Sequence, residues 1–227
     1  MSKPHIPLDQ LKAQAEECRS CELCEGRTHL VFGVGDPLAR VLIVGEAPGK
    51  NEDLQGEPFV GAAGKYLNEL LELADLKREE VYIANVLKCR PPGNRDPRPE
   101  EIQACTPFLR EQTRTIDPDF IVTLGNFSTK FILKTDKGIT GLHGKLQKAG
   151  KFNVFPIFHP AAAIYDRSKR DALEEDFRTL GRLLKEVAEQ KRLAAEQAAA
   201  EQDERQRRLH EQGEQENLFE RTVRQEG

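Results

Sequence analysis

The stretch from residue 41 to residue 71 constrains the fold more than any other part of the chain. Four consecutive apolar residues, 41–44, predict a strand that is buried on both faces. The chain must then turn, because Gly45, a proline and Gly49 leave no room for further ladder pairing. From Gly64 onward apolar residues recur at three and four positions, which predicts a helix. Open α/β sheets bind their ligands at such a junction, where a strand passes through a glycine-bearing loop into a helix.

Three further apolar runs predict buried strands at 81–87, 120–125 and 154–160, and helical patterns separate them. The polar, glycine-punctuated segment 138–151 predicts a hairpin. Regular alternation of strands and helices predicts an α/β fold with a mostly parallel sheet and helices on both faces. The ends of the strands carry four residues suited to a site: Gly45, Asn85, Gly125 and His159. Parallel strands bring these ends to one edge, so we expect a functional site there.

Bulk properties narrow the class of protein. The 227 residues carry a formal net charge of −4, which does not by itself indicate nucleic-acid binding. Any such contact must come from local patches, for example the loop 88–99 with its four cations and one anion. Composition divides the chain into one domain, 1–185, and a polar tail, 186–227, that is helical or disordered. No apolar run approaches the ~20 residues of a membrane helix, so we expect a monomeric cytoplasmic protein without membrane contact.

Five cysteines lie in the first half of the chain: Cys18, Cys21, Cys24, Cys89 and Cys105. An odd number in a cytoplasmic chain argues against a disulfide framework. Four thiolates suit either zinc or an iron–sulfur cluster, and the spacing does not choose between them. It also does not say which of the first three cysteines is spare. Buried structural thiols are the alternative explanation.

Several ordered motifs resemble the family 4 uracil-DNA glycosylases, which are bacterial and archaeal enzymes with an iron–sulfur cluster. The motifs are Gly45–Gly49, Glu52-Asp53, Pro58–Gly61, Asn85–Pro92 and His159–Ala161. The resemblance covers roughly residues 18–184 and implies a three-layer αβα fold. It implies release of uracil from single- or double-stranded DNA, leaving an abasic site, without lyase chemistry. It also implies a [4Fe-4S] cluster on Cys18, Cys21, Cys89 and Cys105, with Cys24 as the spare thiol.

The same resemblance implies roles for individual residues. Phe59 would stack on the flipped uracil, and Asn85 would read its N3 and O4 edge. His159 would stabilise negative charge on the departing base. The loop residues Gly45, Ala47 and Gly49 would approach the base and the attacking water.

The water-activating group is the least determined part of the site. In the best-known branch of the superfamily an Asp stands where this chain has Ala47, which cannot act as a base. Glu46 is therefore the first candidate for positioning the water, with Asp53 and then Glu52 behind it.

Contacts to DNA are expected from a set of cations and one apolar wedge. The candidates are Lys88, Arg90, Arg95, Lys145, Arg167 and, as the residue that fills the gap in the duplex, Ile164. His143 stands where the family usually has Arg, so the contacts around Lys145 depart from the family pattern.

Two hypotheses extend beyond the core enzyme. Gln215, Leu218 and Phe219 resemble the motif that binds the bacterial sliding clamp, which would make the clamp a partner of the tail. A non-catalytic iron–sulfur module that only senses uracil, through Asn85 and Phe59, is the alternative to an enzyme. A nucleotide-binding protein is disfavoured, because the first loop lacks both the P-loop ending and a GxGxxG pattern.

Overall fold

A six-stranded mixed sheet organises the chain, with strand order β1-β3-β2-β4-β6-β5. The computed structural model describes the backbone of residues 6–225 and the side chains of residues 6–164 and 166–207. The strands are β1 (Val34–Gly35), β2 (Val41–Gly45), β3 (Tyr82–Asn85), β4 (Phe120–Leu124), β5 (Gln147–Ala149) and β6 (Phe152–Ile157). The four inner strands are parallel and the two edge strands are antiparallel to their neighbours. The predicted α/β fold with a mostly parallel sheet is confirmed.

Helices connect most of the strands. They are α1 (Leu8–Glu16), α2 (Leu23–Gly26), α3 (Lys50–Gln55), α4 (Ala62–Leu73), α5 (Pro99–Ile116), α6 (Gly125–Leu133), α7 (Ile139–Leu142), α8 (Pro160–Tyr165) and α9 (Arg167–Gln225). The predicted hairpin at 138–151 is only partly correct, because the segment begins with α7 and contributes just β5 to the pairing with β6. None of the described helices has the length and apolar character needed to cross a membrane.

Successive side chains along each strand point to opposite faces of the sheet, and each face packs against its own helices. Residues at alternate positions of β2 and β3, such as Leu42 and Tyr82, pack with Leu109 and Ile116 of α5 and with aromatic residues of α6. The intervening residues point to the opposite face, where Ile43 is fully buried as well. Burial on both faces explains why these strands read as unbroken apolar runs.

Parallel register aligns the ends of the inner strands. Gly45 pairs with Asn85 across β2 and β3, and Leu124 pairs with Ile157 across β4 and β6. The loops that leave these strands therefore start from one edge of the sheet, as the sequence predicts.

Two compact units divide the chain, Met1–Arg182 and Leu183–Gly227. The first contains the sheet. The described part of the second lies in α9, where residues 189–207 are all exposed. Its side chains form ion pairs along the helix, including Arg192 with Glu189 and Glu196 at 2.6 Å. The side chains of Gln215, Leu218 and Phe219 lie outside the described residues.

Candidate active site

A pocket of about 430 Å³ opens at the carboxyl edge of the sheet. Its lining includes eight residues that the sequence singles out: Glu46, Ala47, Gly49, Glu52, Phe59, Asn85, Arg95 and His159. These residues come from the loop after β2, from α3, from the segment before α4, from the end of β3 and the loop after it, and from the loop after β6. The structure thus brings together residues that are more than 110 positions apart in the sequence.

Gly45 does not itself line this pocket, but it packs directly against two residues that do, Phe59 and Asn85. A Cβ built on it would lie 2.9 Å from two carbons of the Phe59 ring and would overlap Oδ1 of Asn85. Only a residue without a side chain lets those two groups approach the strand end so closely. This contact is the reason for a glycine at the end of a strand whose other positions are branched and apolar.

Phe59 is held in an unusual backbone conformation. Its φ is +54°, in the left-handed region that bulky residues rarely adopt. Gly64 in α4 permits it, because a Cβ there would overlap the Phe59 carbonyl. The ring stacks against the His159 imidazole, with centroids 5.6 Å apart and planes 27° from parallel. The two rings form one wall of the pocket.

Asn85, the last residue of β3, is only 2 % exposed. Its carbonyl accepts a hydrogen bond from Lys88. Within the described part of the chain its side-chain amide has no hydrogen-bond partner, although it lines the pocket. A buried amide normally finds partners, so this one is available to a ligand that offers a donor and an acceptor.

His159 lies two residues after the end of β6 and is the N-cap residue of α8. Its Nδ1 accepts the backbone N–H of Ala161 at 3.2 Å and so caps the helix. Burial lowers the pKa of His159, and the carboxylate of Glu52 opposes part of that effect. A neutral imidazole whose Nδ1 accepts must carry its proton on Nε2. The side chain is therefore a neutral hydrogen-bond donor.

Glu46 follows Gly45 directly in the sequence and lines the pocket. Burial, and to a smaller extent the charge of Asp96, raises the pKa of Glu46 above its ordinary value. The carboxyl lines both the pocket and a larger adjoining cavity of about 750 Å³, which it shares with His159. A partly desolvated carboxyl at the mouth of a pocket can hold a water or accept its proton.

Asp53, predicted as a second catalytic carboxylate, is placed elsewhere. Its oxygens accept hydrogen bonds from Thr28, one from the backbone N–H at 3.0 Å and one from Oγ1 at 2.7 Å. It is 5 % exposed and belongs to neither cavity at the strand edge. Glu52 accepts from the N–H groups of Val60 and Gly61 at the start of α4. Both carboxylates anchor backbone, and Asp53 is not part of the pocket.

Lys88, predicted to contact DNA, is also elsewhere: it is 1 % exposed, and its side chain turns into the interior. Its Nζ donates to the Asn85 carbonyl at 2.8 Å and to Oε1 of Gln112 at 2.6 Å. Burial lowers the pKa of Lys88 to about 8, and Cys105 opposes part of this shift. An interior side chain cannot reach a phosphate, so this prediction is wrong.

The other candidate DNA contacts lie at the surface or at the pocket mouth. Arg95 lines the pocket and binds both oxygens of Glu101, at 3.0 and 2.5 Å. Lys145 donates to the carbonyl of Gly141. Ile164 is 47 % exposed, which is unusual for a large apolar residue and compatible with the role of a wedge. Arg90 donates to Asn94, and Arg167 is exposed.

All five cysteines line one small cavity beneath the loop after β3. Arg27 donates to Sγ of Cys89 at 3.5 Å, and the Lys88 backbone N–H donates to Sγ of Cys105 at 3.2 Å. Burial raises the pKa of Cys105 to about 11. Among the described residues, no three Cys, His, Asp or Glu side chains form a ready-made metal site. The lining alone does not distinguish Cys24 from the other thiols.

Sequence reasoning missed two buried partners in α5. Gln112 is fully buried and holds Lys88, while Glu101 holds Arg95 and caps the helix through the Arg98 N–H. Both stand among other polar residues of an amphipathic helix. No local signal separates them from solvent-facing neighbours.

Comparison with known proteins places this geometry in context. The uracil DNA glycosylase superfamily profile matches residues 32–182. A Type-4 uracil-DNA glycosylase of Sulfurisphaera tokodaii is 46 % identical over 185 residues, covering 78 % of this chain and 84 % of the relative. A Type-4 enzyme of Archaeoglobus fulgidus is 46 % identical over 78 % of this chain and 92 % of its own length. A third, of Thermotoga maritima, is 42 % identical over 74 % and 90 %, respectively.

Proposed function

The chain belongs to the uracil-DNA glycosylase superfamily, and from this premise we propose that it excises uracil in DNA repair. It hydrolyses the N-glycosidic bond of deoxyuridine in DNA and leaves an abasic site. The observation that carries the proposal is the convergence of Asn85, Phe59 and His159 on one pocket at the strand edge. Each of the three supplies a property that uracil release requires.

Recognition begins when the base leaves the helix. An enzyme that acts on a base takes it out of the stack, and an aromatic face replaces part of the lost stacking. Phe59 offers that face, with its ring fixed beside His159. The free amide of Asn85 then matches uracil, because it can donate to O4 and accept from N3–H. Cytosine presents the opposite pattern and leaves both groups unpaired.

Bond cleavage needs a stable leaving group. As the glycosidic bond breaks, the sugar gains oxocarbenium character and the base gains negative charge. The Nε2–H of neutral His159 donates to O2 of the departing base, where that charge develops. Glu46 positions the water that attacks the sugar. Lyase chemistry would need an amine nucleophile, and none of the sequence motifs places a lysine in that role. We therefore assign a monofunctional enzyme.

The cysteine cavity supports a [4Fe-4S] cluster held by Cys18, Cys21, Cys89 and Cys105. The donor set fits, because all four thiols line one cavity and two of them accept N–H hydrogen bonds. The cluster would supply a covalent cross-link between the N-terminal segment, the loop after β3 and α5. Cys89→Ala should lose the 400 nm absorbance and lower the Tm. A folded mutant with full absorbance would remove Cys89 from the ligand set.

Binding of DNA on either side of the flipped base is assigned to exposed groups. Arg90, Arg95, Lys145 and Arg167 would contact phosphates, and Ile164 would fill the space that the base vacates. We also propose that the enzyme acts in the cytoplasm and as a monomer.

The tail is assigned to recruitment. Gln215, Leu218 and Phe219 would occupy a small pocket of the sliding clamp from a long tether. A chain ending after residue 214 should retain activity on short duplexes and lose binding to the clamp. Undiminished clamp binding by the shortened chain would exclude this segment.

The decisive experiment compares two oligonucleotides that differ at a single base, uracil in one and cytosine in the other. Protein purified without oxygen is incubated with each, as single and as double strands, and abasic sites are cleaved with alkali. We expect cleavage of the uracil strand alone. Binding of uracil DNA without cleavage would favour the non-catalytic sensing module, and His159→Ala separates the two by abolishing base release without abolishing binding.

A further inference from the structure

The buried Lys88 has no task in the mechanism above. Its Nζ lies over the Phe32 ring, 5.8 Å from the ring centroid. Both hydrogen-bond acceptors of Nζ are neutral carbonyl oxygens rather than carboxylates. Burying a cation without an ion-pair partner opposes folding, and an apolar side chain of equal length would fill the same space. Since Lys88 is not needed to fill space, we infer its role from the two groups that its Nζ binds, the Asn85 carbonyl and Gln112.

One of these hydrogen bonds closes the end of β3. The Asn85 carbonyl accepts from Lys88 Nζ at 2.8 Å. The next two backbone N–H groups, of Val86 and Leu87, donate to the carbonyls of Gly45 and Glu46 at 3.0 Å each. The peptide unit that follows Asn85 is thereby held on both sides. Because the direction of a side chain follows from its backbone, this bracing sets where the Asn85 amide points.

The second hydrogen bond holds the cation itself. Oε1 of Gln112 accepts from Nζ at 2.6 Å, and Nε2 of the same side chain donates to the Phe32 carbonyl at 2.9 Å. A weaker contact of 3.4 Å joins Nε2 to the hydroxyl of Tyr82. Gln112 is fully buried and belongs to α5, a long helix packed against the sheet. The chain of contacts thus runs from a rigid helix to the end of the strand.

We propose that Lys88 is a positioning residue for base recognition: it holds the Asn85 carbonyl, Gln112 holds Lys88, and the Asn85 amide consequently meets the base in one orientation. The inference rests on the proposed function, because it depends on Asn85 reading uracil. Lys88 lines neither cavity at the strand edge. Its expected effect on activity therefore passes through Asn85.

A double-mutant cycle tests that dependence. Lys88→Met keeps the length of the stem and removes the donors. We expect it to lower kcat/KM for uracil DNA about tenfold, mainly through KM. In an Asn85→Ala background the same substitution should change kcat/KM less than twofold, because the amide it positions is absent. Equal losses in both backgrounds would show that Lys88 acts on general stability and would overturn the proposal.

Tyr82→Phe is the matched control. It removes the weakest of the three polar contacts of Gln112, leaving those to Lys88 and to the Phe32 carbonyl, and it does not release the Asn85 carbonyl. Its kcat/KM should stay within twofold of the wild type. If Lys88→Met does not fold, Gln112→Met takes its place in the cycle, with a smaller loss that again requires Asn85. A loss from Tyr82→Phe as large as from Lys88→Met would count against a specific role.

Hydrogen exchange separates this inference from the proposed function. The amides of Val86 and Leu87 should exchange at least tenfold faster in Lys88→Met than in Tyr82→Phe. If the wild type releases no uracil, the proposed function fails, and exchange alone decides whether Lys88 holds the strand end. Unchanged exchange would refute the bracing whatever the activity.

Discussion

The sharpest structural prediction concerns Gly45→Ala. A methyl group at this position would lie 2.9 Å from Cε2 and Cζ of Phe59 and would overlap the amide oxygen of Asn85. Non-bonded carbons do not approach so closely, so one neighbour must move. The backbone φ of Gly45 is not positive, and the effect is therefore steric rather than conformational.

Neither neighbour can move freely. Asn85 is the last residue of the buried strand β3, and Lys88 holds its backbone carbonyl. The Phe59 ring is stacked on the His159 imidazole. Inserting one methyl group into a packed site costs about 1–3 kcal/mol. In a domain of this size, each kcal/mol lowers the Tm by roughly 2–4 °C. Because the groups that must yield are those assigned to hold the base, kcat/KM should fall about ten- to hundredfold.

Steady-state kinetics on a uracil oligonucleotide and thermal melting provide the assay. Gly141→Ala is the matched control, since a Cβ there meets nothing within 4 Å and the residue lies inside α7. It should leave kcat/KM unchanged and the Tm equal or slightly higher. Wild-type kinetics for Gly45→Ala would refute the assignment of this strand end to the base pocket.

Three further predictions address the carboxylates and the histidine. His159→Ala should lower kcat by about 10²–10³, the usual cost of losing one hydrogen-bond donor to a developing anion. Its affinity for uracil DNA, measured by anisotropy titration, should stay within a few-fold of wild type. Loss of binding instead would give His159 a structural role. Because the pKa of Glu46 is raised, its carboxylate takes up a proton at a higher pH than an ordinary glutamate does. As the pH falls, kcat/KM should therefore begin to drop at a higher pH than the ordinary glutamate pKa would give. Glu46→Gln should remove this drop, and a drop that persists would point to another base. Asp53→Ala should lower the Tm by several degrees, since two donors of Thr28 lose their acceptor, yet leave kcat near wild type; a hundredfold loss of kcat in a folded mutant would return Asp53 to the catalytic site.

The sequence was sufficient for the existence of the four inner strands and for the edge at which they end. Their bounds differ, since the runs 81–87, 120–125 and 154–160 form the strands Tyr82–Asn85, Phe120–Leu124 and Phe152–Ile157. Runs such as residues 41–44 are apolar at every position because both faces of the sheet are covered, and parallel pairing then aligns Gly45 with Asn85. A run of consecutive apolar residues indicates burial on both faces, so these strands could be predicted without knowing which segments pack against them. The hairpin at 138–151 could not, because a polar segment with several glycines has no single preferred local structure.

Charge was a poor guide to position. Lys88 stands in a loop with three other cations and was expected at the DNA, but its side chain turns inward to Gln112. Asp53 adjoins Glu52 in α3, yet Thr28 binds it from a distant segment. The direction of a side chain depends on the partner that meets it, and neither partner is adjacent in sequence.

The sequence by itself determined the α/β order of elements, the edge that carries the site and the family motifs that give Asn85, Phe59 and His159 their expected tasks. These follow from periodicity and from residue types that only a few structures tolerate. Tertiary structure alone decided that Nδ1 of His159 is occupied by Ala161, that Glu46 rather than Asp53 faces the pocket, and that the end of β3 is braced from α5. The first of these outcomes depends on the side-chain orientation of His159 at the start of α8, and the other two depend on contacts between segments far apart in the chain; only the folded molecule defines either.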